Sequence, residues 1–169
     1  MTAFEKRNEF VIRGVRSDDL DRVAEIEAIC FPPSEAASRS SFAGRIAAFP
    51  DCFLIGEREG LAVGYVNGCA TDSETIRDEF FHDTAHHNPQ GRNLSIFGLA
   101  VVPELRGLGV GATLMKRFIE LARSTGREGV ILTCKENLVA YYESFGFLNL
   151  GLSKSSHGGA QWFDMRLQL

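Results

Sequence analysis

The chain has 169 residues, 44% of them hydrophobic and 24% charged, and a formal net charge of -4 from 18 lysines and arginines against 22 aspartates and glutamates. That length suits one hydrophobic core, so residues 1–169 are expected to form a single domain, and the composition excludes disorder, collagen-like repeats and coiled coil. The acidic balance argues against a nucleic-acid binder, which needs a basic excess to displace phosphate counterions.

The leading residues MTAFEKRNEF carry charges from Glu5 onward and form no apolar signal-peptide core, which makes a cytoplasmic location the expectation. Phe10 to Val15 reads as a strand, followed by Ser17-Asp18-Asp19 as N-cap oxygens for a helix with an apolar face of Leu20, Val23, Ala24, Ile26 and Ile29. Pro32-Pro33 ends that helix. The spacing of Phe42, Ile46 and Phe49 predicts a second helix from Ser34 to Phe49, closed by Pro50-Asp51. Strands follow at Cys52 to Glu57 and Leu61 to Ala70, joined as a hairpin across Arg58-Glu59-Gly60.

Between Thr71 and Asn93 the sequence is polar and irregular, and reads as a helix or loop insertion at the surface. An apolar strand from Leu94 to Val102 follows. The uncharged run to Pro103 is about half of what a helix needs to span a bilayer, so no membrane segment is expected. A Gly-rich turn then leads into a helix from Gly109 to Ser124 with a stripe of Val110, Leu114, Phe118, Leu121 and Ala122. Gly126 stands just beyond it. A strand at Gly129 to Cys134 leads to a short helix, Leu138 to Phe145, with Asn137 as its cap, and the chain finishes with strands at Phe147 to Leu150 and Gln161 to Leu167. Cys30, Cys52, Cys69 and Cys134 show neither C-x-x-C nor zinc spacing and are read as reduced, mostly buried thiols.

The chemistry concentrates in LAVVPELRGLGVGATLM, where a buried strand, the turn Arg106-Gly107-Leu108-Gly109-Val110-Gly111 and an amphipathic helix follow at once. Glycines let backbone N–H groups approach a ligand, and the helix N-terminus adds its positive dipole end, so the turn is an anion cradle suited to a pyrophosphate. A Walker A loop is excluded, because Gly111 is followed by Ala112-Thr113 and not by lysine. The dinucleotide fingerprint matches Gly107, Gly109 and Ala112, with Glu136 at about the ribose distance, but Pro103 to Arg106 separate strand and first glycine where the fingerprint wants them adjacent. Gly98 interrupts the strand before the turn and marks a bulge or the close approach of a ligand. Tyr141 and Tyr142 point to different faces of their short helix, one to the core and one to a cleft, where a hydroxyl can act as a general acid. His82, His86 and His87 invite a metal check, but no cysteine or placed carboxylate completes a tetrahedral set, and no metal is expected.

Together these segments resemble the GNAT superfamily of acetyl-CoA-dependent N-acetyltransferases, with the patterns (Q/R)-x-x-G-x-(G/A) at Arg106 to Gly111 and N-x-x-x-x-(Y/F)-x-x-x-G-F at Asn137 to Phe147. FPPSEAAS (31–38) and the late Gly151, Ser153, Gly159, Trp162, Asp164 and Met165 look like the arylalkylamine N-acetyltransferase branch and its bacterial relatives. The resemblance implies an α/β fold: a strongly twisted, mixed, mostly antiparallel sheet of six to seven strands, about four flanking helices, and a splayed central strand pair that admits pantetheine. It implies that backbone groups of Leu99, Ala100 and Val101 meet the acetyl and pantetheine groups. It further implies that Arg106, Gly107, Leu108, Gly109, Val110, Gly111 and Ala112 hold the pyrophosphate and that Asn137 touches the pantetheine arm.

By the same resemblance Tyr142 is the acid for the departing thiolate and the Leu99 N–H is the oxyanion donor. The branch's histidine pair is absent: its positions here read Ser95 and Phe97. Deprotonation of the amine is left to water held by Ser95, Glu35 or His87, or to solvent alone. Phe31, Pro32, Glu35 and Phe97 are the candidate acceptor-binding residues. Phe42, Phe49 and Phe53 are further candidates for an aromatic pocket. The expected partner is a small or arylalkyl amine; acetylation of protein or antibiotic amino groups and a non-catalytic CoA-responsive module are the alternatives. Exposed edge strands make a homodimer a reasonable expectation.

Overall fold

The computed structural model describes residues 9–169; residues 1–8, which carry most of the segment read for an export signal, lie outside them. Nine strands form two sheets among the described residues: β1 (Val11–Gly14), β2 (Phe53–Arg58), β3 (Leu61–Asn67), β4 (Ala70–Thr71), β5 (Asn93–Ile96), β6 (Gly98–Val101), β7 (Gly129–Cys134), β8 (Leu148–Leu152) and β9 (Phe163–Gln168). The first sheet runs β1-β2-β3-β6 and is antiparallel throughout, while the second runs β4-β5-β7-β9-β8 with a single parallel pair, β5 with β7. The α-helices are α1 (Leu20–Cys30), α2 (Arg39–Ala48), α3 (Val110–Ser124) and the short α4 (Val139–Glu143). This is the mixed α/β architecture the sequence implies. None of the helices is long and apolar enough to cross a membrane.

The strand count exceeds the expected six to seven because two apolar runs break where they face each other. The run expected from Leu61 to Ala70 divides at Gly68 into β3 and β4, and the run expected from Leu94 to Val102 divides at Phe97 into β5 and β6. Asn67 pairs with Gly98 and Ala70 with Leu94, so three steps on one strand oppose four on the other, which is a β-bulge. The close approach requires glycine: a Cβ on Gly68 would stand 1.6 Å from the Ser95 carbonyl oxygen. The bulge bends the strand pair and passes the chain from the five-stranded sheet to the four-stranded one.

Alternation along β2 and β3 divides the core between two layers. Phe53 and Tyr65 face α1 and α2, where their rings pack with Phe42 at centroid distances of 5.7 to 6.1 Å. On the opposite face the small residues Gly56 and Gly64 admit α3, whose Val110 and Leu114 lie against them. The stripe read for α3 is buried at Val110, Leu114, Phe118 and Ala122. On α1 the buried residues are Val23, Ile26 and Glu27, whereas the predicted face residue Ile29 is 51% exposed. The helix predicted from Ser34 begins only at Arg39, where the Ser38 hydroxyl accepts the Ser41 N–H at 3.1 Å; the residues after Pro33 are used as a loop.

Two further expectations change. Thr71 to Asn93 is more than a surface insertion, because its two 3-10 turns (Asp78–Phe81 and Thr84–His86) bring Phe80 into the core and Ile76 is buried beside them. Asn137 does not cap α4: it lies within the 3-10 turn Glu136–Leu138, and Leu138 occupies the cap position without a side-chain bond.

Candidate active site

The site begins where the two sheets part. β5 pairs with β7 from Asn93–Gly129 to Ile96–Leu132, and beyond that point β6 pairs with β3 while Thr133 and Cys134 pair with β9. A wedge opens between β6 and the end of β7. In an antiparallel pair, successive residues turn their N–H and C=O alternately toward and away from the neighbour. Val102 donates its N–H to the Val63 carbonyl at 2.9 Å, so Leu99 and Val101 turn theirs away from β3 and into the wedge. The Val101 carbonyl accepts from Arg106 Nε at 3.0 Å and from the Cys30 thiol at 3.4 Å.

Cavities enter the wedge from both sides. The larger, about 730 Å³, is lined by β6, the glycine turn, the start of α3 and α4, including Leu99, Ala100, Val101, Arg106, Gly107, Gly109, Val110, Gly111, Ala112, Asn137 and Tyr141. The smaller, about 270 Å³, is lined by Glu27, Arg45, Phe81, Phe97, Gly98 and His157 among others. Phe31, Glu35, Leu99, Leu138, Tyr142 and Trp162 line both. The two cavities thus share a wall, and Leu99 and Tyr142 are part of it.

In the turn, Gly107 and Gly109 have φ of 79° and 88°, a left-handed conformation that side chains other than glycine adopt at a cost. No atom lies within 4 Å of the place a Cβ would occupy at either position. The first helical bond of α3 runs from the Thr113 N–H to the Gly109 carbonyl at 3.0 Å. The N–H groups of Val110, Gly111 and Ala112 have no acceptor inside the helix, and all three residues line the larger cavity. Leu108 is 48% exposed and does not line the cavity.

Tyr142 is buried and stands edge-on to Tyr141 and Phe147 at 5.2 and 6.0 Å. Burial, reinforced by Cys134 and Tyr141, pushes its hydroxyl well above the usual tyrosine range, so it stays protonated and able to donate. Tyr141 also faces the larger cavity; both tyrosines reach the cleft, where the sequence suggested one.

Glu35 reaches both cavities and is bound by Lys135 at 2.6 Å. Phe31 lines both cavities, Phe97 only the smaller, and Pro32 only the larger, away from the acceptor side expected for it. Ser95 lies outside both: it is fully buried, its hydroxyl donates to the Cys69 carbonyl at 2.9 Å and accepts the Cys69 N–H at 3.0 Å, which ties β5 to the chain before β4. His87 is likewise outside both, its Nδ1 accepting the Ala70 N–H at 3.1 Å and its ring packed on Phe49. Phe42, Phe49 and Phe53 are core residues and line neither cavity.

The sequence reading missed Glu27, Arg45, Phe81 and His157. Glu27 was detectable as a charge set in the apolar face of α1, beside Val23 and Ile26, where a carboxylate is seldom buried without purpose. Its carboxylate accepts the Ala37 N–H at 3.1 Å and the Tyr65 hydroxyl. Burial pushes its pKa up to about 7, against the opposing effects of the Ala37 N–H and of Arg45. Phe81 and His157 come from short 3-10 turns (Asp78–Phe81 and His157–Gly159), stack on one another at 4.7 Å, and left no periodic signal.

The pattern of the acetyltransferase (GNAT) family matches residues 20–147, and the chain belongs to that family. Serotonin N-acetyltransferase of Mesocricetus auratus is 28% identical over 71% of this chain and 57% of its own length. The chain spans 27%, 57% and 54% of the length of the first three curated relatives that it matches. Among solved structures, the GphF GNAT-like decarboxylase in complex with isobutyryl-CoA superposes with a TM-score of 0.81 at 21% identity, covering 94% of this chain and 98% of its own. The acetyltransferase yncA of Salmonella typhimurium, described as putative and bound to acetyl-CoA, superposes with a TM-score of 0.69 at 20% identity over 95% and 94%.

Proposed function

We propose that the protein transfers an acetyl group from acetyl-CoA to the primary amine of a small acceptor, by direct attack with both substrates bound. The observation that carries this reading is the shared wall: one cavity with an anion cradle and a second, smaller cavity meet at Leu99 and Tyr142. The larger cavity fits the cosubstrate. Its free helix N–H groups and Arg106 suit a pyrophosphate, and the outward N–H groups of Leu99 and Val101 suit an amide-rich arm passing Asn137.

Acetyl-CoA supplies a thioester whose carbonyl carbon accepts the amine, the C–N bond forming as the C–S bond breaks. The Leu99 N–H donates to the acyl oxygen as negative charge develops there. The Tyr142 hydroxyl gives its proton to the departing thiolate. The amine must lose a proton in the same cycle, and the smaller cavity is where that proton leaves. Its volume of about 270 Å³ and its lining, which includes the stacked Phe81 and His157, favour a small acceptor over a folded protein surface.

Replacing Tyr142 by phenylalanine is expected to lower kcat about a hundredfold, with acetyl-CoA binding by calorimetry little changed. Undiminished turnover in that variant removes Tyr142 from the acid role.

A further inference from the structure

The smaller cavity is lined by two buried groups of opposite charge, Glu27 and Arg45, that form no ion pair with each other. Glu27 comes from α1 and Arg45 from α2, and they are 7% and 4% exposed. Among the described residues no carboxylate lies within 4.0 Å of the Arg45 guanidinium. Its donors go to neutral oxygens, Asn67 Oδ1 and the Phe81 carbonyl, each at 3.1 Å, and its plane lies by the rings of Phe42 and Phe97 at 5.2 and 4.8 Å. Arg13 shows the contrast: also withdrawn from solvent, it is bound by both Asp19 and Glu57, at 2.8 and 2.7 Å. A buried guanidinium with no carboxylate in contact is costly, and burial lowers the Arg45 pKa to about 10 against the opposing pull of Glu27 from beyond contact distance. A ligand that brings the missing anion removes that cost.

We infer that the acceptor is an aminocarboxylate: a small molecule whose amine faces Glu27 and whose carboxylate faces Arg45. This rests on the acetyltransferase reading above and names its substrate class. With Glu35 already paired to Lys135, Glu27 and Arg45 are the carboxylate and guanidinium of this cavity left without an ion-pair partner among the described residues, and a zwitterion matches them, each end meeting its opposite. A single negative charge suits Arg45 better than a phosphate dianion, which would face Glu27 with its second charge uncompensated. Phe31, Phe81, Phe97 and Trp162 line the same cavity and offer apolar surface suited to an aromatic or branched aliphatic side chain. Glu27 takes the proton of the attacking ammonium; the Tyr65 hydroxyl and the Ala37 N–H, which donate to its carboxylate, orient it and favour its charged, proton-accepting form. A peptide N-terminus offers an amine but no adjacent carboxylate, so the same contacts select against it.

The test measures CoA release by the full chain, at saturating acetyl-CoA, with matched triplets: L-phenylalanine, L-phenylalaninamide and phenethylamine, and the corresponding leucine and methionine sets. We expect at least one aminocarboxylate to exceed its amide and its decarboxylated amine by tenfold or more in kcat/KM. Arg45→Met should bring that aminocarboxylate down to the level of its amide, and Arg45→Lys should restore part of the difference. Equal or better use of the amides and amines by the wild-type chain overturns the inference while leaving acetyl transfer intact, and this holds even if the variants fail to fold. Absence of CoA release with every acceptor, together with no thermal stabilisation by acetyl-CoA, overturns the acetyltransferase reading itself.

Discussion

Glu27 illustrates how one residue links stability to the site. Its carboxyl has an ordinary value of 4.5 and stands at about 7 in the fold, so the native state binds the proton more tightly than the unfolded chain does. Its contribution is therefore complete below about pH 4.5 and is lost as pH rises through about 7; the shift corresponds to at most about 3 kcal/mol. In urea denaturation between pH 5 and 8, Glu27→Gln should lose less stability with rising pH than the wild type, because glutamine has no proton to lose. Parallel pH profiles would contradict the assignment. At this scale the sequence was readable where a residue's neighbours in the chain are also its neighbours in space, as in the glycine turn and around Tyr142. It was not readable for Ser95, whose position suggested chemistry and whose hydroxyl is consumed by Cys69, a residue 26 positions away. Nor could Arg45 be assigned to the site, since its partners Asn67 and Phe81 lie on separate segments.

Among the elements, the turn before α3 and the bulge between β5 and β6 respond differently to a single methyl group. Gly109→Ala meets open space and strains only its φ of 88°, so a loss of about 1 to 2 kcal/mol is expected together with a clear fall in acetyl-CoA affinity by calorimetry. Gly68→Ala drives a Cβ into the Ser95 carbonyl and should leave little soluble protein on expression. A folded Gly68→Ala protein with wild-type melting would show that the bulge has more room than its geometry indicates. Periodic elements were legible: α3, β7 and β9 lie within a residue or two of their expected bounds. The bulge was half legible, since Gly98 flagged an interruption and the break falls one residue earlier, at Phe97. The turns that line the smaller cavity were not legible, because Phe81 and His157 reach it by tertiary packing that no local pattern records.

On the scale of the whole molecule, a ligand bound only by the native state stabilises it by RT ln(1 + L/Kd), about 2.7 kcal/mol at a hundredfold excess. For a chain of this length that should raise Tm by about 5 to 10 °C with acetyl-CoA or CoA, and not with ATP or NADH. A rise with NADH instead would return the glycine turn to the dinucleotide reading. The bulge at Gly68 and Phe97 also governs assembly, because the stretch from Asn93 to Val101 supplies β5 to one sheet and β6 to the other. Neither sheet can be completed without that stretch, so both should gain and lose amide-exchange protection together. The wedge is then a place where hydrogen bonding between strands has to stop for the chain to change sheets. Substitutions along its walls can alter which acceptor is admitted, but the opening itself persists for as long as the chain folds this way.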